Sequence, residues 1–126
     1  MFYVKQSSRE KGSFAENLAA SFLKRKSFEI LEQNAYLGHL EIDIVAKKGD
    51  KIHFFEVKSV LHETFSNEKE HFDPFENMTE KKLRRLEAAC SLYMQKRPEK
   101  DFDLKLILVT YSKRDKKAKF KLFDLF

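Results

Sequence analysis

Four charged residues fall at alternate positions of two adjoining apolar segments. Glu41 and Asp43 lie in EIDIVAKK, Glu56 and Lys58 in KIHFFEVKS, and Gly49-Asp50 separates the two. A two-residue turn of the Gly-X type at Gly49-Asp50 sets Lys48 against Lys51. The same register sets Asp43 opposite Glu56 and Glu41 opposite Lys58. Strand side chains alternate, so all four charges then share one face with Val45 and Phe54. Ile42, Ile44, Phe55 and Val57 point to the other face, into a core. Opposed carboxylates have Cβ atoms about 5 Å apart and repel. A bound proton or an intervening cation offsets the repulsion. The cation is either the Lys58 ammonium or a divalent metal, and carboxylate-rich oxygen sites suit Mg²⁺ or Mn²⁺. The plainer alternative is a hairpin with one solvated face and an ordinary surface ion pair between Glu41 and Lys58.

The elements around the hairpin decide where those charges stand. Ser13 reads as the N-cap of a helix over 13–26. Its apolar stripe is Phe14, Leu18 and Phe22 with Ala15, Ala19 and Leu23, and Glu16 lies at the edge of that stripe. A strand follows over 28–33, then a connection over 34–38, then the two hairpin strands. Residues 60–78 show no period, contain Pro74 and carry Glu63, Glu68, Glu70, Asp73 and Glu76, which reads as a mobile surface loop. Phe65, Phe72 and Phe75 in that loop anchor it to the body or stack on bases. Leu83, Leu86, Cys90 and Tyr93 recur at helical spacing over about 79–96. FDLKLILVTY, 102–111, reads as a buried strand, and 118–125 adds an edge strand. The order α-β-β-β-α-β-β predicts an α/β fold, one domain over 1–126 with a mixed sheet flanked by helices and an N-terminal extension over 1–11.

Composition agrees with one folded core. The chain has 126 residues, 42% apolar, with 13 phenylalanines, and a net charge of +5. That basic excess suits a polyanionic partner without selecting one. A single cysteine, Cys90, excludes an internal disulfide and a cysteine-based zinc cluster, and its place in the helical stripe reads as a buried thiol. No apolar run is long enough to span a membrane and no signal peptide opens the chain, so a cytoplasmic protein is expected. His53 reads as packed or hydrogen-bonded; His39, His62 and His71 lack metal-ligand spacing.

An acidic residue in a first helix, an Asp on one strand and Glu-x-Lys on the next resembles the order of the PD-(D/E)XK nuclease superfamily. Within it the chain resembles the YraN-type family of small predicted endonucleases, through Gly12, Glu16, Ala19, Asn34, Glu41-Ile42-Asp43 and Glu56-Val57-Lys58. Lys82, Ala89 and Phe102-Asp103 continue the likeness, which spans about residues 11–109. The chain departs from it at Ala15, Leu40, Ser59-Val60 and Asp101.

The resemblance implies a restriction-endonuclease-like core that hydrolyses DNA phosphodiester bonds, in repair or junction processing, with Mg²⁺ or Mn²⁺. It implies Asp43, Glu56 and Glu16 as metal ligands with the Val57 carbonyl, and Lys58 as the catalytic cation. Glu41 is read as supporting the site or pairing with Lys58. Lys82 and Arg85 are expected to meet phosphates, against the alternative of a solvated helix face. DNA is the partner implied; many nucleases of this fold pair to cut two strands, which leaves monomer and homodimer both open. A nucleic-acid-binding module without turnover and a protein-interaction domain using the acidic loop are the competing functions.

Overall fold

A computed structural model of the chain describes residues 8–63, 73–76 and 78–125. Along it run α1 (Ser8–Arg25), β1 (Glu29–Leu37), β2 (Leu40–Lys48), β3 (Lys51–His62), α2 (Glu80–Met94), β4 (Asp101–Ser112) and β5 (Lys117–Asp124). The α/β order expected from the sequence is the one observed. Helix α1 begins ahead of Ser13, which is an interior residue and not a cap. Arg9, Glu10 and Lys11 are good helix formers, and Gly12 costs only about 1 kcal/mol, too little to stop the helix. The helix ends where Ser27 takes φ +71°, letting the Phe28 amide return to the Leu23 carbonyl at 3.0 Å.

Turn chemistry sets the strands. Gly49 sits at φ +62° and Lys48 pairs with Lys51, as the Gly-X turn requires. β1 runs on to Leu37 in place of the expected connection at 34–38. Gly38, at φ +65°, turns the chain so tightly that Leu37 pairs directly with Leu40. β3 continues to His62, into the segment expected to be loop, because β4 gives it a parallel partner from Lys51↔Asp101 to His62↔Ser112. The centre of that expected loop, 64–72, lies outside the described residues, and with it Phe65, Phe72, His71, Glu68 and Glu70. Phe75 packs edge-on against Phe123 at 5.3 Å, an anchor to the body.

The five strands lie in the order β1-β2-β3-β4-β5. Only β3 and β4 are parallel, which requires the crossover that α2 provides. Thr79 caps α2, its hydroxyl accepting from the Lys82 amide at 3.1 Å. The two helices cover opposite faces. Ala19, Ala20 and Leu23 of α1 bury against Ile44, Phe55, Ile107 and Val109. Leu86 and Cys90 of α2 bury against Val45, Ile52, Phe54, Leu104 and Leu106. Full burial of each such Leu, Ile or Phe stabilises by about 1.5–3 kcal/mol, so the sheet is held from both sides. No described helix is long and apolar enough to cross a membrane.

Candidate metal centre

Apart from the bulge between Ile30 and Glu32 of β1, strict alternation breaks at one cross-strand position. On β1, Gln33 hydrogen-bonds Asn17 of α1 at 3.3 Å, yet Ala35, two residues on, belongs to the α2-side core. On β2, Ile44 packs on the α1 side and Ile42 on the α2 side. The pairs Gln33↔Ile44 and Ala35↔Ile42 bracket Asn34 and Asp43, so both strands reverse face between the same two rungs. Asn34 makes the reversal by adopting φ +56°, a left-handed conformation that Asn tolerates better than other side-chain-bearing residues. The outcome turns Glu41 and Asp43 towards α1. The sequence pattern placed them on the face of Val45 and Phe54, and this is corrected.

Helix α1 meets them there with Glu16. Carboxylate oxygens of Glu16, Glu41 and Asp43 all lie within 4.8 Å of one another. Glu41, read from the sequence as supporting the site or pairing with Lys58, is part of this group; among the described residues no ion pair joins it to Lys58. On β3 the alternation is unbroken. Glu56 and Lys58 therefore keep the parity of Ile52 and Phe54 and face the α2 side.

Asp43 connects the two sides. The paired register of β2 with β3 ends at Ile44↔Phe55, one step short of the expected Asp43–Glu56 rung. Beyond it the Val57 amide donates to Asp43 Oδ2 at 2.8 Å. A side-chain oxygen thus replaces the backbone acceptor that β2 would have supplied, and the Asp43 carboxyl occupies the gap between the strands. Through that gap it also hydrogen-bonds the Glu56 carboxyl, which requires a proton between them.

The electrostatics follow from crowding. Burial, then the charges of Asp43 and Glu41, push Glu16 up to about 7, against the Asn34 amide that hydrogen-bonds it. Burial, then the Asp43 charge, push Glu56 up to about 7, with Lys82 and Lys58 pulling the other way. Burial also raises Asp43 above the usual carboxylate range, although the Val57 amide and Glu56 hydrogen bonds oppose it. The site is short of positive charge at neutral pH. Glu16 Oε1 is moreover buried without a hydrogen-bond partner, an arrangement that costs free energy unless a proton or a cation satisfies it. An all-oxygen donor set with one orphaned carboxylate oxygen fits a hard divalent ion such as Mg²⁺ or Mn²⁺.

Of the remaining site residues expected from sequence, Lys58 and Lys82 stand close enough for their charges to lower Glu56, and Lys82 acts on Asp43 as well. Lys82 comes from the first turn of α2, so the centre draws on both helical layers. Arg85 is exposed on the same helix, and no interaction ties it to the acids. His53 lies at the far end of β3, its Nδ1 2.7 Å from Asp103 and its ring edge-on to Phe28. It is packed and hydrogen-bonded. Asn34, which in the sequence stood only in the family likeness and in the connection over 34–38, is a component of the site through its hydrogen bond to Glu16.

The sequence model of the uncharacterised protein family UPF0102 matches residues 15–109. The chain is 36% identical over 125 residues to a UPF0102 protein of Helicobacter pylori strain J99, covering 98% of this chain and 96% of that protein. A UPF0102 protein of Helicobacter hepaticus is 41% identical over 87 residues, covering 69% of this chain and 71% of its own. One from Aliarcobacter butzleri is 42% identical over 91 residues, covering 71% and 74%.

Proposed function

The chain belongs to the uncharacterised protein family UPF0102, and from that membership and its acidic centre we propose a metal-dependent endonuclease-like hydrolase of DNA phosphodiester bonds, acting in repair or junction processing. The observation that carries this reading is the convergence of Glu16, Glu41 and Asp43 oxygens within 4.8 Å, with Glu56 hydrogen-bonded to Asp43 and two ammonium groups beside them. Glu16, Glu41 and Asp43 would hold the ion, and Glu56 would join them once the proton it shares with Asp43 is released. A divalent cation bound there supplies Lewis-acid polarisation of a phosphoryl oxygen and lowers the pKa of water.

The chain's own residues supply the rest. The Val57 amide fixes Asp43 in the gap, so that carboxyl needs little reorganisation. Lys58 offsets negative charge that develops as a water oxygen bonds to phosphorus and the bond to the 3′ oxygen breaks, leaving a 5′-phosphate. Lys82, at the start of α2, binds a non-bridging phosphate oxygen and orients the strand. Arg85 and the other cations of α2 add salt-sensitive contacts to the backbone.

Incubation of the full chain with flap, junction and single-stranded DNA plus Mg²⁺ or Mn²⁺ tests the proposal. Cleavage is expected that Asp43→Ala abolishes and Lys58→Met lowers by about 10²–10³-fold, the range seen on removing one electrostatic donor. Metal-independent, salt-sensitive DNA binding without any cleavage would point to a binding module. No DNA binding at low salt would point to a protein-interaction domain.

A further inference from the structure

Lys117, Lys119 and Lys121 alternate along β5 and are all exposed. Their parity is that of Phe123, which packs against the α2-side core, while Ala118 and Phe120 between them pack on the α1 side. The three lysines therefore share one face, and it is the face of Glu56 and Lys58. Register fixes their distance from the centre. Lys58 pairs with Leu108, and Leu108 pairs with Lys121. Neighbouring strands lie about 4.8 Å apart, so Lys121 stands on the Lys58 rung about 10 Å away. Lys119 and Lys117 follow at intervals of about 7 Å towards the β4–β5 turn. Their β4 partners, Thr110 and Ser112, are uncharged. Asp124, the acid of β5, points to the other face, where Lys105 holds it. Among the described residues no ion pair engages Lys117 or Lys121.

We propose that β5 is a backbone-binding edge, on which these lysines meet phosphates along one strand of the DNA duplex that flanks the cut. The proposal rests on the hydrolase reading and gives its substrate a path. Lys82 stands by Asp43 and Glu56, on β2 and β3, and the β5 lysines continue that line of cations past Lys58 to the sheet edge. The strand offers no ring on which an unpaired base could stack. Phe120 is stacked on Phe22 at 4.3 Å on the other face, and Phe123 is held edge-on by Phe75. Single-strand binding relies on such stacking, whereas phosphate contacts alone suit a duplex and read no sequence. Lysines on a sheet edge also blunt pairing with another strand. Edge protection by itself does not require all three to share the face of Lys58.

The test measures binding of a fluorescent blunt duplex in EDTA across a salt series, with an oligothymidylate of equal length alongside. The full wild-type chain is compared with the double variant Lys117→Gln/Lys121→Gln and with Lys24→Gln/Lys100→Gln, which removes the same charge at the opposite end of the sheet. Mn²⁺-dependent flap cleavage is followed in parallel. The slope of log K against log salt on the duplex is expected to become shallower by about 1.8 in the β5 variant, for two lost phosphate contacts, and by less than half that in the other. Lys117→Arg with Lys121→Arg is expected to keep the wild-type slope. Equal loss in both glutamine variants overturns the edge in favour of net charge. An unchanged slope overturns it as well, and association of that variant on size exclusion would assign the lysines to guarding the sheet; cleavage that persists then leaves the hydrolase intact. Loss confined to the oligothymidylate overturns the assignment to a duplex. The expected slope change with no cleavage by the wild type supports the edge and counts against the hydrolase. Failure of the wild type to bind either DNA overturns both.

Discussion

Glu56→Gln is expected to stabilise the protein at pH 8 and to leave it unchanged at pH 4. In the folded chain burial and the Asp43 charge raise the Glu56 pKa from 4.5 to about 7. Below pH 4.5 the carboxyl is protonated in folded and unfolded chains alike. Between 4.5 and 7 only the folded chain keeps the proton, and above 7 both ionise. Stability therefore falls as pH rises through that window. A shift of about 2.5 units at 1.36 kcal/mol each sets a ceiling of about 3 kcal/mol. Part of it is shared with Asp43, so about 1–3 kcal/mol is expected at pH 8. Gln carries no charge, and its amide can donate to Asp43 as the protonated carboxyl does. The acid-side losses from Glu99 and Asp103, whose pKa values are lowered by Arg97 and by His53 respectively, the latter against burial, are common to both proteins and cancel. The chain has no Trp, so urea unfolding is followed by far-UV circular dichroism, in EDTA, at several pH values. A difference independent of pH, or a less stable variant at pH 8, would refute the crowding of these carboxyls. The same variant should lose cleavage, a stability gained at the expense of activity.

Three further outcomes follow from the same contacts. Mn²⁺ at 100 times its Kd should raise the melting temperature by about 10 °C at pH 8, less below pH 7 where Glu16 and Glu56 hold protons, and not at all in Asp43→Ala; thermal scans against metal concentration measure this. Asn34→Ala should destabilise by about 1–2 kcal/mol because an alanine resists φ +56°, whereas Asn34→Gly should keep the backbone and lose only the amide on Glu16, as urea titration would reveal. The Cys90 thiol, fully buried and pushed up to about 12 by burial and then by Glu87, should ignore a thiol reagent at pH 8 in native buffer and react at once in denaturant.

The parts of the fold legible in the sequence were those fixed within a few residues. Gly49-Asp50 specified the turn, and the turn specified the rungs from Lys48↔Lys51 to Ile44↔Phe55. The helical spacing of Leu83, Leu86, Cys90 and Tyr93 located α2. Missed boundaries had competing local signals: Gly12 and Ser13 suggested a helix start, and Asn34 suggested a strand end. In both places longer-range pairing or continued helix propensity prevailed. At the centre, Glu16, Asp43 and Glu56 were nameable from residue order, whereas Glu41 was read as supporting the site or pairing with Lys58, because a uniform two-residue period across the hairpin set it opposite that lysine.

Residue types and their order alone determined that acids and a lysine sit on adjoining strands of an α/β chain, since turn residues and hydrophobic period act locally. Only the assembled sheet decided which way those acids point. The face reversal at Asn34 and Asp43 needs β1 and β2 side by side, the Asp43–Val57 hydrogen bond needs β2 to part from β3, and Glu16 and Lys82 arrive from helices on opposite layers. Each of these contacts joins segments far apart in the chain, whose approach is set by packing and leaves no period in the sequence.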